Sequence, residues 1–244
     1  MSMSDRQEQI LQLLQERTFL TVQELARITF TSPSSIRRDL TYLQNNGLAI
    51  RSHGGVSLPA PVSGVASFYD RIHKNTKEKR IIAQKAATLL KDGQNILLDS
   101  SSTAAFLLPY IAKFKSISVI TNHLSTALNA IELGIDTHCL GGHAAAASPV
   151  LSGAETYRAL SNLKADILFF SSQSLDAQGD ISDSTEEENF VRILMLKAAK
   201  TKVFLCDGDK FRTSSLHRLT NLNQVDFAVF DREFPELITD CKLL

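Results

Sequence analysis

From residue 95 onward the chain alternates short apolar runs with stretches of helical periodicity: NILLD then TAAFLLPYI, ISVIT then LSTALNAI, DTHCLGG, ADILFF then EEENFVRILMLKAA, KVFLCD, and finally DFAVFD. The runs are almost continuously apolar, as expected of strands buried on both faces. Strands and helices in this alternation imply a mostly parallel sheet covered by helices, a Rossmann-like α/β/α domain. Ligands of such sheets bind beyond the carboxyl ends of the strands. The loops there are Asp99, Ser100, Ser101, Ser102 and Thr103; Thr121, Asn122 and His123; Gly141 and Gly142; Ser171, Ser172 and Gln173; and Asp207, Gly208, Asp209 and Lys210. Hydroxyls ahead of a helix suit a phosphate or a polyol, Lys210 can supply a point charge, and Asp99 and Asp207 can accept from sugar hydroxyls.

The first residues read differently. Asp5 to Glu16 places Ile10, Leu11, Leu13 and Leu14 on one stripe of a helix. Thr21 with Glu24 matches a capping box and predicts a second, short helix. Phe30-Thr31 then turns, Ser32 offers an N-cap with Pro33 behind it, and a third helix runs to about Asn46, stopped by Gly47. On that helix Ile36, Leu40 and Leu43 must face the core, so Ser34, Arg38 and Thr41 lie opposite, flanked by Ser35, Arg37 and Tyr42. LAIRS with VSL, joined through His53-Gly54-Gly55, makes a small hairpin carrying Arg51 and His53.

Taken alone, Arg37-Arg38 would be a solvated face pairing with Asp39. Behind a short helix and a tight turn, the same residues form a helix able to enter a DNA major groove, with its N-terminal residues nearest the bases. The organisation expected is a winged helix-turn-helix domain over 1–57, a Pro/Gly/Ser/Ala-rich linker over 58–76 and an α/β domain over 77–244.

Charge agrees in direction: residues 1–80 hold 11 Lys/Arg against 7 Asp/Glu, and residues 81–244 hold 15 against 19. Three cysteines without ligand spacing and six scattered histidines indicate neither a disulfide framework nor a metal. Gly141-Gly142 lacks the spacing of a dinucleotide fingerprint, so no cofactor is expected. No apolar run is long enough for a membrane span, and MSMSDRQEQ lacks a signal-peptide core, so the expected location is the cytoplasm.

The segment VQELARITFTSPSSIRRDLTYLQNNGLAIRSHGGV resembles the N-terminal domain of DeoR-family bacterial transcriptional regulators, with Ser35 where the family more often has Thr. The resemblance continues through Arg71 and Lys79 at the junction, Asp99–Thr103, Thr121-Asn122, Gly141-Gly142 and Asp207–Phe211. It departs at Ser101, Ser102, Asp209 and Ser172-Gln173-Ser174. It implies a DNA-binding repressor of a carbohydrate operon whose effector domain is similar to ribose-5-phosphate isomerase and binds a phosphorylated sugar. Paired half-sites on operator DNA imply a homodimer or homotetramer. Two alternatives are a sugar-phosphate isomerase-like enzyme with an appended DNA-binding head, using Asp99, Asp207 and Lys210, and an RNA-binding regulator, which would lack an aromatic stacking platform.

Overall fold

The computed structural model describes residues 3–17, 19–52, 55–58, 68–145 and 148–244. The chain divides into two compact units, Met1–Tyr69 and Asp70–Leu244.

The first unit contains α1 (Asp5–Glu16), β1 (Leu20–Thr21), α2 (Val22–Ile28), α3 (Pro33–Asn45), β2 (Ile50–Ser52) and β3 (Gly55–Ser57). Ser4 and Thr21 each close a capping box, on α1 and α2. The Ser32 hydroxyl accepts from the Ser35 amide to start α3. Ile10, Leu14, Leu25, Ile36, Leu40 and Leu43 are fully buried together and form the core. Where a two-stranded hairpin was expected, the wing has three strands in the order β1-β3-β2, with Leu20 paired to Val56. Two residues are too short a run for periodicity to reveal, and Thr21 serves as strand end and helix cap together. His53 lies outside the described residues.

Helix α4 (Phe68–His73) occupies part of the span expected to be linker, because the small-residue composition of that span ends before FYDRIH. The second unit continues through α5 (Thr76–Ala86), β4 (Asn95–Leu98), α6 (Ser102–Ala105), α7 (Leu108–Ile111), β5 (Ser118–Thr121), α8 (Leu124–Glu132), β6 (Asp136–Cys139), β7 (His143–Ala144) and β8 (Leu151–Ser152). It closes with α9 (Ala154–Ser161), β9 (Ala165–Phe170), β10 (Ser174–Leu175), β11 (Asp180–Asp183), α10 (Glu186–Ala198), β12 (Ala199–Cys206), β13 (His217–Asn221), β14 (Phe227–Phe230) and β15 (Lys242–Leu243). The stretch TAAFLLPYI, expected as one helix, is two: Pro109 has no amide hydrogen and its ring would meet the carbonyl of Ala105 in a continuous helix.

Seven of these strands form one sheet in the order β15-β14-β12-β9-β4-β5-β6, and every neighbouring pair is parallel. Ile96, Leu98, Ile167, Phe169, Val203 and Leu205 point to one side, against Ile82 and Ala86 of α5 and Ile111 of α7. Leu97, Leu168, Phe170 and Phe204 point to the other, against Leu160 of α9 and Val191 and Met195 of α10. Burial on both faces is why these strands are written in unbroken apolar letters. The chain winds outward from β4 to one edge and from β9 to the other, so the strand order reverses between β4 and β9. Such a reversal opens a crevice at the carboxyl ends of the two strands.

Candidate functional site

On α3 the core stripe leaves Ser34, Arg37, Arg38 and Thr41 exposed and Ser35 and Tyr42 half-buried; Arg51 is exposed on β2. Ser32 Oγ lies 2.9 Å from Ser34 Oγ and 3.0 Å from Ser35 Oγ, a hydroxyl cluster over the helix start. Asp39 does not pair with its arginine neighbours. It is buried, and Arg6 Nε (2.6 Å) and Gln7 Nε2 (3.2 Å) of α1 donate to it. That bond locks α3 against α1, and neither Arg37 nor Arg38 has an ion pair among the described residues. The arrangement presents two guanidiniums and several hydroxyls on a rigid helix, which suits phosphate and base-edge contacts.

In the second unit the crevice between β4 and β9 is lined by loops from three adjacent strands. Lys210 Nζ donates to Ser171 Oγ (2.8 Å), lies 3.4 Å from Thr103 Oγ1 and pairs with Asp207 at 3.4 Å. Asp207 is buried and also accepts from Asn75 Nδ2 at 3.1 Å. Burial alone would raise its carboxyl, but Lys210, Asn75 and Lys79 outweigh burial and hold it below the usual carboxylate range. Asp209 turns to Asn75 (2.9 Å) and Lys74 (3.7 Å).

Asp99 differs from the sugar-hydroxyl acceptor expected. It is buried, and its two oxygens accept from the Ser101 amide (3.0 Å), Ser101 Oγ (2.5 Å), the Ser171 amide (3.2 Å) and Arg192 Nε (3.0 Å). These contacts occupy the carboxylate's roughly four acceptor positions, so it acts as a strut across the strand-order reversal. Ser100, Ser101, Ser102 and Thr103 are buried around it, with Ser101 capping α6.

Thr121, Asn122, Gly141 and Gly142 form a separate set. Thr121 Oγ1 accepts from the His123 amide at 3.2 Å, and Asn122 Nδ2 donates to the Leu151 carbonyl at 2.9 Å. Asn122 Oδ1 is buried without a hydrogen-bond partner among the described residues. His123 Nδ1 accepts from the Thr126 amide (3.1 Å) at the start of α8, and burial, reinforced by Arg71, lowers its pKa to about 3. Gly142 has φ +146, and a Cβ there would fall 2.3 Å from Thr156 Oγ1 and 2.5 Å from the Ser152 carbonyl oxygen.

Two buried cations of the region escaped sequence reasoning in these roles. Arg192, on α10, is fully enclosed by Asp99, Asp183 (2.9 Å) and Glu188 (3.0 Å). Its only local signal is a cation inside the apolar run FVRILML. Lys79 is buried and donates to the carbonyls of Arg71 and Lys74, tying the α4–α5 turn to α5. Burial first, then Lys210, lowers its pKa to about 7. Among the described residues no group of side chains could hold a metal, and no helix is long and apolar enough to cross a membrane.

The sequence matches the DeoR-like helix-turn-helix domain over residues 6–62 and the DeoR C terminal sensor domain over residues 74–232. It is 33% identical over 230 residues to the HTH-type transcriptional regulator GolR of Listeria innocua, covering 94% of this chain and 91% of that protein. It is 33% identical over 240 residues to the L-fucose operon activator of Haemophilus influenzae, covering 96% and 94%. Among solved structures, ribose 5-phosphate isomerase from Plasmodium falciparum is similar over 55% of this chain and 52% of its own, at 20% identity and a TM-score of 0.40. With its helix-turn-helix and sensor regions both matched, the chain belongs to the DeoR family: it is a DNA-binding transcriptional regulator and not an enzyme.

Proposed function

We propose that the protein is a repressor of a carbohydrate-utilisation operon, released from its operator by a phosphorylated sugar. Operator DNA is read by Ser34, Ser35, Arg37, Arg38, Thr41 and Tyr42 of α3, with Arg51 and His53 of the wing on the backbone. The sugar phosphate sits over residues 100–103, with Lys210 as the phosphate's cation, Asp207, Thr121, Asn122, Gly141 and Gly142 around the remainder, and Asp99 holding the loop from beneath. The observation that carries this reading is Lys210: its side chain is 21% exposed and its ammonium lies 3.4 Å from Thr103 Oγ1 at the strand-order reversal, where a charge on a ligand would meet it. Asn122 Oδ1, buried and without a partner among the described residues, adds an acceptor for a ligand's donor. The similarity to the L-fucose operon activator supports a carbohydrate operon. Repression needs only occupancy of the promoter, without a surface for polymerase.

Thermal-shift measurements on the full chain against phosphorylated sugars test the effector half, since a ligand bound only to the folded state must raise the melting temperature. A shift lost in Lys210→Ala and weakened in Ser102→Ala is expected. Anisotropy with operator DNA tests the control: an effector that lowers operator affinity must itself bind less tightly when DNA is present. An effector indifferent to DNA would sink the proposed control.

A further inference from the structure

Strand β6 ends the sheet, and Asp136, His138 and Cys139 on it are exposed. Among the described residues no strand pairs with its outer side; the edge is short and carries one charge, Asp136, but no Pro, Lys or bulge. Helix α8 packs on β5 and β6 with an apolar band that the sheet covers only in part. Ala127 and Ala130 are buried, whereas Leu124, Leu128 and Ile131, at i, i+4 and i+7, are 40%, 63% and 58% exposed. Asn129 lies on another sector and Glu132, four residues beyond Leu128, flanks the row at its C-terminal end, so the row itself is apolar and its one bordering charge is a carboxylate.

We propose that the β6 edge and the exposed row of α8 are covered by a second copy of this chain, related by a two-fold axis normal to the sheet that passes midway between the two copies of Thr137. The proposal rests on the reading of the protein as a symmetric oligomer. Directly opposite residues of an antiparallel pair share a face, so such an axis must pass midway between a residue of β6 and its own copy. Centred on Thr137, it sets Asp136 of each copy opposite His138 of the other, an acid against a base twice over. Centred on His138, it would stack two imidazoles and leave Asp136 facing Leu140. Thr137 pairs with Val119, whose side chain belongs to the core beneath α8, so Asp136 and His138 meet on the far face and do not obstruct the helices.

The spacing closes as well. Strands lie about 4.8 Å apart, and α8 rides over the groove between β5 and β6. Two copies joined edge to edge therefore bring their α8 axes to roughly 10 Å, the separation at which helices pack through side chains such as Leu and Ile. A nucleic acid or a sugar phosphate would find no cation and no donor on this row, and a carboxylate, Glu132, at its border.

Sedimentation of the full chain without DNA tests the inference. The wild type is expected to self-associate, Leu128→Asp to halve the mass while keeping its circular dichroism, and Asp136→Lys to weaken association at least tenfold. Asp136→Lys combined with His138→Asp should restore it, which a generally damaged fold would not. An oligomer indifferent to Leu128→Asp and Asp136→Lys would overturn this interface alone. A wild-type monomer would leave the face to a different protein and overturn the oligomer reading too.

Discussion

Arg192 and Asp99 stand 93 residues apart in sequence and 3.0 Å apart in the fold, both almost wholly buried. Through this pair α10 holds the β4 loop, since the same carboxylate fixes Ser101 at the start of α6 and the Ser171 amide at the end of β9. Removing one member of such a buried set leaves its partners charged and uncompensated, a cost of about 3–5 kcal/mol. Arg192→Met is accordingly expected to lower the urea midpoint by a corresponding amount. A midpoint within experimental error of wild type would show that the carboxylates find other compensation.

Arg38→Ala should leave stability unchanged, because the side chain is exposed and its one hydrogen bond among the described residues, to Ser35 Oγ, is 3.5 Å long. If Arg38 reads a base edge, specific operator affinity should fall by about 1–3 kcal/mol. Arg37→Ala should weaken all DNA sequences alike and reduce the salt slope by about one. Anisotropy titrations at several salt concentrations separate the two; unaltered binding in both variants removes α3 from the interface.

Phe30, in the turn before α3, has φ +50 and is 97% exposed. A non-glycine residue pays about 1–2 kcal/mol in this region, and the ring recovers nothing by packing. Phe30→Gly is expected to raise stability by about 0.5–1 kcal/mol net of glycine's greater freedom when unfolded. Equilibrium unfolding checks it, and a loss of stability would show that the ring contributes in the folded state.

Lys79 gives a pH dependence with a definite sign. In the unfolded chain it holds its proton to about pH 10.5, whereas burial, and then Lys210, lowers its folded value to about 7. Between those values the unfolded chain binds more protons, so stability rises with pH, and the penalty on the buried ammonium is fully felt only below pH 7. The stability of wild type relative to Lys79→Met should therefore increase from about pH 6 to about pH 9. A difference that stays flat would mean that the ammonium remains charged throughout.

Adjacent glycines after β6 should behave oppositely. Gly142→Ala meets both a positive φ and a 2.3 Å contact with Thr156 Oγ1, and should cost at least about 1–3 kcal/mol. Gly141→Ala has nothing within 4 Å of the new Cβ and should stay within about 0.5 kcal/mol of wild type. Melting temperatures of the two variants provide the comparison; equal losses would refute it.

What the sequence determined by itself was whatever is settled within a turn or two of chain. Thr21 with Glu24 and Ser32 with Pro33 place helix starts because the bonds they make reach only three residues. The Ile36, Leu40, Leu43 stripe orients Arg38 because helical geometry is local, and continuous apolar runs announce β4, β9, β12 and β14 because both faces of that sheet are covered. Tertiary structure alone decided that Asp99 turns inward to Arg192 instead of toward the crevice, that Asp39 binds Arg6 and frees the arginines beside it, and that Lys210 reaches Ser171 across 39 residues. A carboxylate or a cation has the same chemistry in the chain whether it ends buried or wet. Its partner is chosen by the order in which strands assemble and by the cost of enclosing an unpaired charge, and neither leaves a trace in the neighbouring residues.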